Sequence, residues 1–196
     1  MIIVMAILFG IPLPITPIQI LWINMITAVA LGLTMAFDPA PSGIMQRSPR
    51  TPGAPVLSPT LFWQIAFVST ITVLANFGIF QWALSAGHSL EVARTLIVNT
   101  LVLTEIIYLI HVRATEGQHH PGIELTRAVV IGILSVVIAQ VLYTYLSILQ
   151  QLFESTPLTD ELLIAPRLVA AIVGVLMQLE YRIRVSRARS HCSPLT

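Results

Sequence analysis

Three side chains place oxygen atoms inside long apolar stretches. Asn24 and Thr27 lie in QILWINMITAVALGL (Gln19 to Leu33), and Glu105 lies in NTLVLTEIIYLIHVR (Asn99 to Arg113). A carboxylate at the centre of a membrane costs about 3 kcal/mol or more, and such groups usually face protein or a water-filled path. Glu105 precedes Arg113 by about two helical turns, so it sits well inside its run. It is either a working carboxyl on an ion path or a structural one, protonated or hydrogen-bonded between helices. Uncharged amide, hydroxyl and carbonyl oxygens can replace part of a cation's hydration shell. Asn24 and Thr27, three residues apart, would present such oxygens on one helix face. The same pair can equally act as interhelical glue at about 1 kcal/mol each.

Other polar residues carry less. Asn76, Gln81, Gln140 and Thr144 occur singly and read as packing contacts. Glu180 and Arg184 have the spacing of an ordinary helix-surface pair. The five histidines, at 88, 111, 119, 120 and 191, show no ligand spacing. Cys192 is the only cysteine, which excludes a disulfide framework and a cysteine metal cluster. All 10 basic residues are arginine. Without lysine there is neither a phosphate-binding loop motif nor Schiff-base chemistry.

The elements that must hold these residues are helices in lipid. Of the 196 residues 56% are hydrophobic and only 10% charged, where a soluble domain has about a quarter charged. The mean hydropathy is +0.86. The expected fold is all-α, a multi-pass transmembrane bundle of five full spans plus a partial N-terminal one. The partial span is Met1 to Ile11, stopped by GIPLPITP. The full spans are Ile18 to Phe37, Thr60 to Leu84, Leu90 to Val112, Ile123 to Leu149 and Leu162 to Tyr181. Together they form a membrane domain over 1–183, with a Pro/Ser/Gly-rich loop at 38–59 and an Arg-rich tail at 184–196.

The arginines set the orientation. Arg47, Arg50, Arg113, Arg127 and the four arginines at 182, 184, 187 and 189 fall on one side, which places loops 38–59 and 113–122 and the C-terminus in the cytoplasm. Trp63 and Trp82 bracket one span, while Tyr143 with Tyr145 and Tyr181 mark outer and inner interfaces. The plasma membrane is the expected location. The bilayer is the first partner, and no basic run with interleaved aromatics points to nucleic acid.

The run LPITPIQILWINMITAVALGLTMAFDPAPSGIMQRSPR (Leu13 to Arg50) resembles the end of the fifth helix, the sixth helix and the following loop of type-2 P-type cation ATPases, the calcium-pump and sodium/potassium-pump relatives. NTLVLTEIIYLIHVR resembles the eighth helix of that family, and the remaining spans match it in number and spacing. The resemblance implies that Asn24, Thr27 and Glu105 are ligands of a transported cation. In calcium pumps an Asp follows the sixth-helix Thr. Here Ala28 stands in its place. A divalent cation away from water needs more than one carboxylate to offset its desolvation. The substitution therefore argues for one ion, a monovalent ion or a proton over a two-calcium site.

The resemblance also implies what a complete pump has and this sequence lacks. With no lysine the chain holds no Asp-Lys-Thr-Gly-Thr motif, and the actuator, phosphorylation and nucleotide-binding domains have no counterpart in it. The expectation is the C-terminal, ion-binding part of a cation-transporting ATPase, a fragment that does not hydrolyse ATP by itself. Its partners would be the transported cation and the N-terminal pump domains, on the same or a separate chain. It holds no cofactor of its own; ATP and Mg are implied only for the complete pump. The alternative is a non-enzymatic membrane module, either a helper subunit or the product of a truncated gene.

Overall fold

The computed structural model describes residues 2–8, 10–32, 34, 59–116 and 127–191, and every regular element among them is helical. In hydrocarbon the backbone has no water to bond, so a spanning segment closes its own hydrogen bonds by coiling. The order is α1 (Ile2–Leu8), α2 (Pro17–Ile23) with a π-helical continuation π1 (Asn24–Leu31), α3 (Pro59–Ser85), α4 (Leu90–Glu116), α5 (Arg127–Tyr145), α6 (Ser147–Phe153) and α7 (Asp160–His191).

Among the described residues four helices, α3, α4, α5 and α7, are long and apolar enough to cross a bilayer. The expected span at 18–37 is represented by α2 and π1, and its last residues lie outside the described ones. So do loop 38–59 (up to Ser58), most of the loop at 113–122, and the last five residues. The span expected over 123–149 begins at Arg127 and breaks at Leu146, whose extended backbone (ψ 119°) separates α5 from α6. The last helix runs on past Tyr181 to His191. Its 32 residues measure about 48 Å, against about 30 Å of hydrocarbon. The start of the expected tail is therefore a helical extension of α7.

α4 is the axis. Within its apolar stretch 61% of residues are buried, against 11%, 33% and 22% in α3, α5 and α7. It supplies Leu96 and Ile97 to one core cluster, Val102, Ile106 and Leu109 to a second, and Val98 to a third. Its most extensive neighbour is α7, then α3. A turn at Ser85–Ser89 folds α4 back along α3, with Gly87 at φ 81° in the left-handed region that glycine tolerates.

Close approach of α4 and α7 rests on small residues, the usual solution where lipid supplies no hydrophobic drive. Ala170 is buried. A Cβ built on Gly174 would stand 2.8 Å from Cγ2 of Ile107, two residues from Glu105. That methyl is branched at Cβ and cannot swing aside. Gly174→Ala should therefore destabilise the bundle by about 1–3 kcal/mol in thermal unfolding in detergent. Adding Ile107→Leu, which removes the γ2 methyl, should restore most of the loss.

Candidate functional site

The segment that carries Asn24 and Thr27 is built from its first residue. Thr16 caps α2: the backbone N–H of Gln19 donates to Thr16 Oγ1 (3.4 Å), and the Thr16 N–H donates to Gln19 Oε1 (3.1 Å). This is a capping box with Pro17 at the first helical position, where its missing N–H costs nothing. The amide nitrogen of Gln19 reaches across the bundle and donates to the carbonyls of Phe153 (3.0 Å) and Glu154 (3.5 Å). Those carbonyls end α6, where Glu154 turns into the left-handed region (φ 52°). One turn on, Trp22 stacks on Tyr143 (5.3 Å between centroids) and packs on Phe153 (4.8 Å). Its indole N–H donates to Gln140 Oε1 (3.4 Å). The P-x-Q-x-L-W-x-N pattern is therefore a docking device that fixes the depth and rotation of α2 before the candidate ligands begin.

From Asn24 the helix changes pitch. Eight residues, Asn24–Leu31, adopt the π form, a rare widening of the helix that often coincides with functional sites. In a wider turn, residues three apart no longer stack, and the expectation that Asn24 and Thr27 share a face is not met. Thr27 is buried, whereas Asn24 and Ala28 are both exposed. A carboxylate at position 28 would join the side of Asn24, not that of Thr27.

Thr27 meets Glu105. The two side chains interact across π1 and α4. The Thr27 hydroxyl donates its proton to the carbonyl of Ile23 at 2.7 Å. Glu105 Oε2 is buried with no hydrogen-bond partner. A buried carboxyl oxygen without a partner is satisfied by a proton on the carboxyl or by a cation. Among the described residues no three His, Cys, Asp or Glu gather as a metal cluster.

The polar residues read as packing contacts behave in several ways. Thr144 accepts from Asn99 Nδ2 (3.3 Å) and donates to the Gln140 carbonyl (2.9 Å), which links α4 to α5. Asn76 is buried and donates to the Thr72 carbonyl (2.8 Å), and Gln81 is exposed. Glu180 and Arg184 form their expected pair at 3.5 Å. Tyr143 is not an interfacial residue: it is fully buried beneath Trp22, while Tyr145, Trp63 and Trp82 are exposed as belts require. Gln19 was missed as a structural residue. A capping-box pattern in TPIQ was the available signal.

Apolar helices around a buried oxygen pair define an all-helical integral membrane domain. Residues 12–183 match the family described as "Cation transporting ATPase, C-terminus", and the chain belongs to that family. It is 40% identical over 159 residues to the "Probable cation-transporting ATPase F" of Mycobacterium tuberculosis, a match that covers 81% of this chain and 18% of that protein. It is 30% identical over 166 residues to "Cation-transporting ATPase pma1" of Synechocystis, again 81% of this chain and 18% of the relative. A match of 26% over 158 residues to the "Calcium-transporting ATPase" of Bacillus subtilis covers 79% and 17%. The chain thus spans less than a fifth of the length of these relatives and corresponds to their C-terminal membrane portion.

The docking of α2 yields a test. Gln19→Leu leaves the Thr16 N–H and the Phe153 carbonyl without their partner. It should lower stability by about 1–3 kcal/mol per buried group left unpaired, seen as a lower unfolding midpoint in detergent.

Proposed function

We propose that this chain is the ion-binding membrane part of an ATP-driven cation pump, and that Thr27 and Glu105 hold one transported cation between them. The observation that carries this reading is the buried Glu105 Oε2 without a hydrogen-bond partner, on a carboxyl that interacts with Thr27. A cation supplies what it lacks and offsets the cost of a carboxylate in lipid. Asn24, exposed with Ala28, adds a neutral oxygen from the outer side of π1, facing whatever covers α2 in the complete protein. With Ala28 in place of a carboxylate the site carries one negative charge, which suits a single monovalent ion or a proton better than paired divalent ions.

In this reading ATP and Mg act on the N-terminal pump domains, whose movements reach the helices through the loop at 38–59. The basic ends support a cytoplasmic, plasma-membrane orientation. Arg184 donates to Gln64 near the start of α3 (3.2 Å), and His111 meets Tyr181 edge-on at 6.0 Å. Arg184 of α7 thus lies beside the start of α3, and the positive-inside rule assigns such basic ends to the cytoplasm.

The test is Glu105→Gln in the complete pump, with ATP hydrolysis and vesicle transport measured against a series of monovalent and divalent cations. The half-activating concentration of the transported ion should rise about 10- to 100-fold, and Thr27→Ala should raise it less. If neither substitution alters the response to any cation, the pair is structural and the reading fails.

A further inference from the structure

The eight residues Asn24–Leu31 stand in the π form, in which each N–H bonds the carbonyl five residues back instead of four. Nothing local in NMITAVAL demands it. The run contains no proline or glycine, and an α-helix accepts every residue in it. We propose that this segment exchanges between the π form and an α form, and that the exchange sets the affinity of the Thr27–Glu105 site. The π form holds the cation and the α form lets it go. The inference rests on the reading of that pair as a cation site.

The direction of the change follows from where the helix is fixed. Gln19 and Trp22 tie α2 to the end of α6 and to α5. Asn24, the first π residue, still has α-helical backbone angles (φ −59°, ψ −40°). The start of π1 is therefore the fixed end. A π turn holds more residues than an α turn, so closing it to α carries each later residue further round the axis. In α geometry residues 24, 27 and 28 lie on one face. With Asn24 fixed on the exposed side, it is Thr27 that turns, away from Glu105 and toward the side of Asn24 and Ala28.

Two further observations fit. The Thr27 hydroxyl donates to the Ile23 carbonyl at 2.7 Å, the acceptor that the Thr27 N–H uses in an α-helix. The hydroxyl thus supports the wider turn, and the α form hands that carbonyl back to the backbone. Packing within this chain also leaves the segment able to turn. Of the described side chains of π1, Ile26 packs against two core clusters, while Asn24, Met25 and Ala28 are exposed. The α form is the longer one for the same number of residues. A pull on the far end of π1, which leads to the loop at 38–59, therefore favours it.

The test is electron cryo-microscopy of the complete pump with saturating sodium, potassium or calcium, whichever stimulates its ATP hydrolysis, and again without that cation. With the cation, Asn24–Leu31 should be π and Thr27 Oγ1 should contact the ion at Glu105. Removing the ion shifts the population toward the form it does not stabilise. The segment should then be α, with Thr27 Oγ1 displaced by about 3 Å toward the side of Ala28. The π form in both states, with the ion at Glu105, would overturn the exchange and leave the cation site standing. The α form with the ion at Glu105 would overturn it as well. Stimulation by none of the three cations, or an ion bound elsewhere than at Glu105, would overturn the exchange together with the site on which it rests.

Discussion

A backbone carbonyl freed inside a membrane has no water to turn to, so each irregularity in such a chain must be closed from within the protein. The irregular places here follow that constraint. Where α5 stops, Ser155 Oγ donates to the Tyr143 carbonyl (2.9 Å) and Gln150 Nε2 to the Thr144 carbonyl (2.7 Å). Where α6 stops, Gln19 of α2 serves the last carbonyls, and where α2 starts, the same side chain and Thr16 close the cap. Closing the breaks with side chains from distant segments ties those segments together. Gln19 alone joins residues 134 apart in sequence.

Buried side chains are less completely served: Asn76 Oδ1, Gln140 Nε2 and Glu105 Oε2 are among the described atoms without a hydrogen-bond partner, and Glu105 is the carboxyl among them. Along α4, Thr95, Asn99, Thr100 and Thr104 each donate to the carbonyl four residues back, at 2.8–2.9 Å. Polar side chains that could have marked a pathway are consumed by their own helix. Thr27 spends its proton the same way on Ile23. Glu105 has no such local outlet, and its buried Oε2 has no hydrogen-bond partner. Around it the packing is close: α4 contributes to all three core clusters, and Gly174 brings α7 against Ile107, two residues from Glu105. A site of one carboxylate gains from such packing, because the carboxyl does not have to reorganise when an ion arrives.

Much of this was legible in the sequence. Hydropathy located α3, α4 and α5 to within four residues at each end, because the period and length of an apolar run are local properties, whereas α7 runs ten residues past its expected end at Tyr181. Glu105 stood out because a lone carboxylate in such a run is unusual. The arginine pair with Glu180 followed from spacing alone. What the sequence did not show was set by distant packing. Tyr143 reads like a belt residue, and only the stack with Trp22 and Phe153 buries it. The break at Leu146 lies in an unbroken apolar run and is stabilised by Gln150 and Ser155. The π form of Asn24–Leu31 has no composition of its own, yet it decides that Thr27 turns inward and Asn24 outward.

The central claim is that the Glu105 carboxyl meets the transported ion directly. Infrared difference spectroscopy of the complete pump, recorded as cations are added one species at a time, reads that carboxyl without requiring turnover. The account predicts a carboxyl-to-carboxylate band change with the transported cation that disappears in Glu105→Gln. A cation-dependent spectrum identical in the native protein and in Glu105→Gln would contradict it.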